Sequence, residues 1–145
     1  MGLVMTPQIL EERLIDFAVT IVSVVEALPS SKAGSHIANQ LIRSGTSPAP
    51  NYAEAQSAES RNDFIHKMKI SLKELRETLV WLKIIGRKQL GHCSEIPAAI
   101  AEWNELIAIF VSAQKLPQRK PIDTSKISNH ESSIINQIVE CMVFR

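Results

Sequence analysis

In residues 65–82 the apolar side chains fall at helical spacing: Ile65, Met68, Leu72, Leu75, Leu79 and Leu82 follow one another at 3, 4, 3, 4 and 3 positions. An α-helix turns once in 3.6 residues, so this spacing gathers them in one stripe; a half-buried strand would alternate every second residue. Such a stripe is stabilised by packing against other helices, because isolated helices are marginal in water. Two more segments carry the pattern. Leu10, Leu14, Phe17, Ile21, Val24 and Leu28 run at 4, 3, 4, 3, 4, and Ile96, Ile100, Trp103, Ile107 and Phe110 at 4, 3, 4, 3. No segment alternates with period two, and no internal repeat is present. With a further helix in residues 35–56, the chain reads as all-α, an up-and-down antiparallel four-helix bundle with a kinked second helix.

The boundaries follow from capping chemistry. Thr6 is a good N-cap, and Pro7 at the first helical position loses no hydrogen bond. Beside the first stripe runs a second, Ile15, Ala18, Val22 and Val25, so this helix is expected to be covered on more than one side, by bundle neighbours or by another subunit. Pro29-Ser30-Ser31-Lys32-Ala33-Gly34 supplies turn residues, and helix two is expected from Ser35 to about Gln56. Gly45, Pro48 and Pro50 lie inside it, and an interior proline costs about 3 kcal/mol. A break at Gly45–Ser47, with Ser47 as a fresh N-cap, would place both prolines in a first turn. Ser60 and Asp63 resemble a capping box for helix three, whose end Gly86 and Gly91 bracket. Helix four is expected from Ser94, with Pro97 in its first turn, and stops before Pro117. Residues 1–116 therefore form the bundle. Residues 117–145 form a polar, proline-bearing linker and a C-terminal tail or short extra helix, with Ile134, Ile135, Ile138, Val139, Met142 and Val143 along one face. Such a stripe is expected to dock on the bundle or on a neighbouring chain.

A chain of 145 residues suits one domain, and a net charge of +1 makes it no general magnet for polyanions. Any nucleic-acid argument must rest on where charge sits. Cys93 and Cys141 lack metal-type spacing and fit a reducing cytoplasm. The apolar stretch Phe17–Val25 is interrupted by Thr20 and Ser23, well short of the roughly 18 residues that a membrane span needs. No basic segment precedes it, so it does not read as a signal peptide. Met1–Thr6 fits the loose N-myristoylation pattern without a second lipid signal, and reads as coincidence. The expectation is a cytoplasmic protein without membrane or cofactor.

Three groups of residues invite a functional reading. Arg43, Ser47, Asn51 and Glu54, spaced 4, 4 and 3, form a polar line on helix two. It is either a ligand site or a structural network in which Glu54 balances Arg43 and Asn51 bridges backbone groups freed by the prolines. The structural reading is preferred, because no nucleophile or metal cluster accompanies it. His36, His66, His92 and His130 are scattered, and His92 beside Cys93 lacks further ligands. No phosphate-cradling loop or nucleophile elbow is present, so no catalytic and no metal residue is assigned. Charge is uneven: residues 61–90 hold eight Lys/Arg against three Asp/Glu, the sixty before them three against six. Lys69, Lys73, Arg76, Lys83 and Arg87 share one flank of helix three, with Val80 at the missing step. That stripe is either a solvated flank, with Glu77 pairing Lys73, or a track for phosphates.

The run Leu41-Ile42-Arg43-Ser44-Gly45-Thr46-Ser47, then Asn51-Tyr52-Ala53-Glu54, Asp63-Phe64-Ile65 and Ser71-Leu72-Lys73-Glu74, resembles the signature of the family named for intervening sequences in bacterial large-subunit ribosomal RNA genes. The resemblance is strongest over residues 36–86 and extends to about 116. It implies a four-helix bundle assembling as a ring-like homopentamer. It also reaches the accessory protein of diversity-generating retroelements, which works with a reverse transcriptase and nucleic acid. By position, Arg43, Ser47, Asn51, Glu54 and Glu74 would be its signature residues, structural in role. Ala55 departs from the usual glycine, and Pro48 adds a second proline. Two functions stay open: a non-enzymatic oligomeric adaptor that binds RNA or DNA beside a polymerase-type partner, and a protein-interaction module with no nucleic-acid role.

Overall fold

Thr6 starts the first helix as the sequence predicts: its hydroxyl accepts from the Ile9 N–H at 3.2 Å, and Pro7 follows at the first helical position. The computed structural model describes residues 5–114. They form α1 (Pro7–Glu26), α2 (Lys32–Thr46), α3 (Pro48–Gln56), α4 (Arg61–Lys88) and α5 (Ile96–Gln114). The expected tail, residues 117–145 with its Ile134–Val143 stripe, lies outside the described residues.

The start of helix two differs from expectation, and the end of α4 falls between its bracketing glycines as expected. Helix two starts three residues early, because Ser31 caps it through the Gly34 N–H at 3.1 Å; the turn residues 31–34 are its first turn. At the same end of the bundle α4 runs through Gly86 to Lys88, and Gln89 ends it in the left-handed region at φ 54°. Gly91 follows at φ 73°. Ser60 caps α4 through the Asp63 N–H at 3.1 Å, half of the expected box.

The kink occurs where the prolines demand it. α2 ends at Thr46 and α3 begins at Pro48, so both prolines sit in a first turn. Ser47 joins them but does not act as a side-chain cap: its backbone is helical, at φ −66° and ψ −32°, and its hydroxyl meets no helix N–H. Asn51 binds there instead, donating to the Ser47 carbonyl at 2.9 Å and hydroxyl at 3.0 Å.

α1, the α2–α3 arm, α4 and α5 occupy four corners, each packed on its neighbours in chain order, with α5 closing back on α1. α1 and α4 are therefore diagonally opposite and, in an up-and-down bundle, run in the same direction. Leu10, Leu14, Phe17, Ile21 and Val24 of α1 meet Leu41, Tyr52, Leu75, Leu82, Leu106 and Phe110 in the core. The α4 seam is rotated slightly from the predicted one. Phe64, Ser71 and Thr78 are buried, whereas Ile65 and Leu79 are half-buried. Thr78 stays on that face because its hydroxyl lies 3.1 Å from that of Ser44 and donates to the Glu74 carbonyl at 2.9 Å. On α5, Ala99, Leu106 and Phe110 go deepest, while Ile96, Ile100, Trp103 and Ile107 are half-buried. α5 is also the one helix among the described residues long and apolar enough to cross a membrane, which the Phe17–Val25 reading missed. Its inner side is part of the bundle, and its Glu102 is clamped by Arg13 at 2.7 and 2.9 Å.

Candidate functional site

The break at Ser47 turns α3 away from α2, and this divides the predicted polar line. Arg43, in the last turn of α2, reaches across to α4: one guanidinium nitrogen donates to Glu77 Oε1 at 2.6 Å and lies 3.3 Å from Gln40 Oε1. The other stands 3.9 Å from Glu74 Oε2, too far for a hydrogen bond. That oxygen is buried without a hydrogen-bond partner. Glu54, on α3, pairs instead with Lys67. Arg43 and Glu54 thus do not balance each other; each has its own partner on α4. Asn51 and Ser47 do come together, and the Ser71 hydroxyl donates to the Pro48 carbonyl at 3.3 Å. Of the five predicted residues, Arg43 and Glu74 share one cluster, Ser47 and Asn51 a second, and Glu54 a third.

Because Arg43 takes Glu77, the predicted Lys73–Glu77 pair does not form. Glu77 also accepts from the Trp81 indole N–H at 3.3 Å, and Trp81 meets His36 edge-on at 6.1 Å. Lys69, Lys73, Arg76, Lys83 and Arg87 are all exposed, and none pairs with an acid among the described residues. They span eighteen positions of α4, about 27 Å of helix at 1.5 Å per residue. Lys69, Lys73 and Arg76 open around Leu72 in a shallow depression. Val80, 55% exposed, interrupts the row, and Ile84 lies exposed one turn on.

Among the described residues no three His, Cys, Asp or Glu side chains converge as a metal site. Cys93 donates its S–H to Glu95 Oε2 at 3.2 Å, and burial holds its pKa above the usual thiol value. The same hydrogen bond, with others from its own backbone and Ser94, pulls the Glu95 carboxyl below its ordinary value. A protonated thiol is a poor nucleophile. His130 and Cys141 lie outside the described residues.

The sequence reading found the apolar stripe on the outer face of α1 but not Val19 or the acids beside it. Ile15 is 41% and Val19 60% exposed, with Val22 half-buried beside them. Among the described residues the expected second cover over Ile15, Ala18, Val22 and Val25 is only partial. The signal was present in the sequence: Glu12, Asp16 and Glu26 share the face with these aliphatic residues. All three acids are exposed, and none has an ion pair among the described residues.

A family described as 23S rRNA-intervening sequence protein matches residues 9–112, which include parts of all four arms. A crystal structure at 1.70 Å, of a protein of unknown function from the S23 ribosomal protein family of Bacteroides thetaiotaomicron VPI-5482, is similar. Its TM-score is 0.68 at 32% identity, and the match covers 74% of this chain and 99% of that one. No curated protein matches.

Proposed function

Because the chain belongs to the 23S rRNA-intervening sequence protein family, we propose that it works as a non-enzymatic, self-associating adaptor, assembled as the ring of five copies that the resemblance of its sequence motifs implies. One observation carries this reading. The large hydrophobic residues left exposed, Ile15, Val19, Ile42, Val80 and Ile84, are not scattered singly but lie on the outer surfaces of α1, α2 and α4. Apolar groups grouped on opposite sides of a bundle are what an assembling subunit presents. The unreactive setting of Cys93 supports the non-enzymatic part. Light scattering at micromolar concentration tests the reading: an assembly is expected, and a particle of 16.1 kDa, the mass of one chain, contradicts it.

A second reading is favoured by the free cations around Leu72: the α4 stripe holds RNA or DNA by its phosphates. Such binding tolerates any sequence and is strongly salt-dependent. With about six phosphate contacts, affinity falls roughly a thousandfold between 50 and 200 mM salt. Anisotropy of a labelled RNA over that range measures it. No binding at 50 mM salt removes this reading and leaves the self-associating one intact.

A further inference from the structure

We infer that the basic outer face of α4 docks on the acidic outer face of α1 in a second copy, head to tail. This rests on the self-association proposed above and specifies which faces meet. α1 and α4 stand at opposite corners of the bundle, so their outer faces point in opposite directions. One carries Glu12, Asp16 and Glu26 around Ile15, Val19 and Val22. The other carries Arg76, Lys83, Arg87 and Lys88 around Val80 and Ile84. Each pairs an apolar strip with exposed charges of a single sign, and the two signs are opposite.

The heights agree as well. A Cβ added at Gly45 of α2 would stand 2.5 Å from a γ-carbon of Ile21 on α1, and the hydroxyl of the neighbouring Ser44 lies 3.1 Å from that of Thr78 on α4. Ile21 and Thr78 therefore mark one level on two helices running the same way. Counting from that level at the common rise per residue, Glu12 is level with Lys69, Asp16 with Lys73, Val19 with Arg76, and Glu26 with Lys83. Copies related by rotation about an axis along the bundle keep their heights. The acidic and apolar strip of one copy would then meet the basic and apolar strip of the next without sliding.

Charge also selects the symmetry. An isologous contact through α1 sets acid against acid, and one through α4 sets cation against cation; like-charge contacts of this kind cost several kcal/mol. A heterologous contact joins opposite signs and closes into a ring when the rotation permits. A polyanion on α4 would leave Ile15, Val19 and Val22 of α1 uncovered, whereas a second copy covers both faces. The second copy is the better occupant.

Charge reversal with cross-mixing tests this. One variant carries Glu12→Lys, Asp16→Lys and Glu26→Lys; the other carries Arg76→Glu, Lys83→Glu and Arg87→Glu. All six positions are exposed, so circular dichroism should report an unchanged helical fold. Each variant alone is expected to sediment as a single chain, and an equimolar mixture to form heterodimers and longer alternating chains, which cannot close as an odd-numbered ring, because each then offers the other a complementary face. If either variant alone assembles like wild type, or the mixture stays dissociated while wild type assembles, the pairing of faces is wrong. A wild type that is itself a monomer would overturn the self-association reading and this inference together. An α4 variant that loses RNA binding yet keeps the wild-type mass would assign the stripe to a polyanion instead.

Discussion

Tyr52 is the chain's single tyrosine, fully buried, edge-on to Phe110 at 6.0 Å, with its hydroxyl donating to the Pro7 carbonyl at 3.4 Å. Burial, reinforced by the nearby Glu11 charge, pushes its pKa well above the ordinary value near 10. A raised folded-state pKa contributes stability that is present below about pH 10 and is lost as pH climbs through the folded value. Phenolate absorbance should therefore stay absent above pH 10 while the chain is folded, and the Tyr52→Phe variant should lose less stability on the alkaline side. A phenolate that titrates near pH 10 with helicity intact would contradict this burial. Gly45 makes a different kind of constraint. A Cβ there would stand 2.5 and 2.8 Å from the two γ-carbons of Ile21, so α2 crosses α1 where only a hydrogen fits. Gly45→Ala gains about 1 kcal/mol of helix propensity, but overpacking costs about 1–3 kcal/mol. Urea denaturation should show a net loss; a variant as stable as wild type would mean that the helices separate freely here.

Elements are held by caps of unequal worth. Thr6 and Ser60 each satisfy a helix N–H through the side chain, whereas Ser47 satisfies none. Thr6→Ala and Ser60→Ala should each cost about 1 kcal/mol in a urea melt. Ser47→Ala should cost less, because it removes only the acceptor for Asn51. An equal loss at all three would show that Ser47 caps after all. How much of this was legible in the sequence follows from the range of each force. The helices, the break before Pro48 and two of the caps depend on neighbours within a turn, and spacing alone revealed them. The start of α2 was misplaced because Pro29–Gly34 carries turn residues, of which Ser31 serves equally well as a cap. The partner of Arg43 was not legible. On a continuous helix Glu54 shares its face, but the turn at Ser47 removes it, and Glu77 is contributed by another helix, thirty-four positions away in sequence. The acidic face of α1 was written in the sequence yet overlooked, since the buried seam beside it dominates the hydrophobic pattern.

At the scale of the molecule, a net charge of +1 conceals a strong polarity. Acids and exposed aliphatic residues gather on α1, cations and exposed aliphatic residues on α4, and the bundle sets these faces back to back. A subunit built this way leaves neither face satisfied alone, and repetition of one contact satisfies both. The same geometry explains why these cations pair with no acid among the described residues. It also limits what the stripe can offer a nucleic acid once copies are joined: Lys69, Lys73, Arg76 and Lys83 would lie at the seam, leaving Arg87 and Lys88 beyond the end of α1. Site-directed cross-linking tests this arrangement most directly. Ser23 and Val80 are exposed, lie at the same height, and belong to diagonally opposite helices, so cysteines there cannot meet within one bundle. In a chain with Cys93 and Cys141 changed to serine, Ser23→Cys combined with Val80→Cys should react with a short thiol cross-linker to give a ladder of joined chains ending at a fixed number of copies. A product that remains a single chain, under conditions where the wild type assembles, would contradict the head-to-tail contact of α1 with α4.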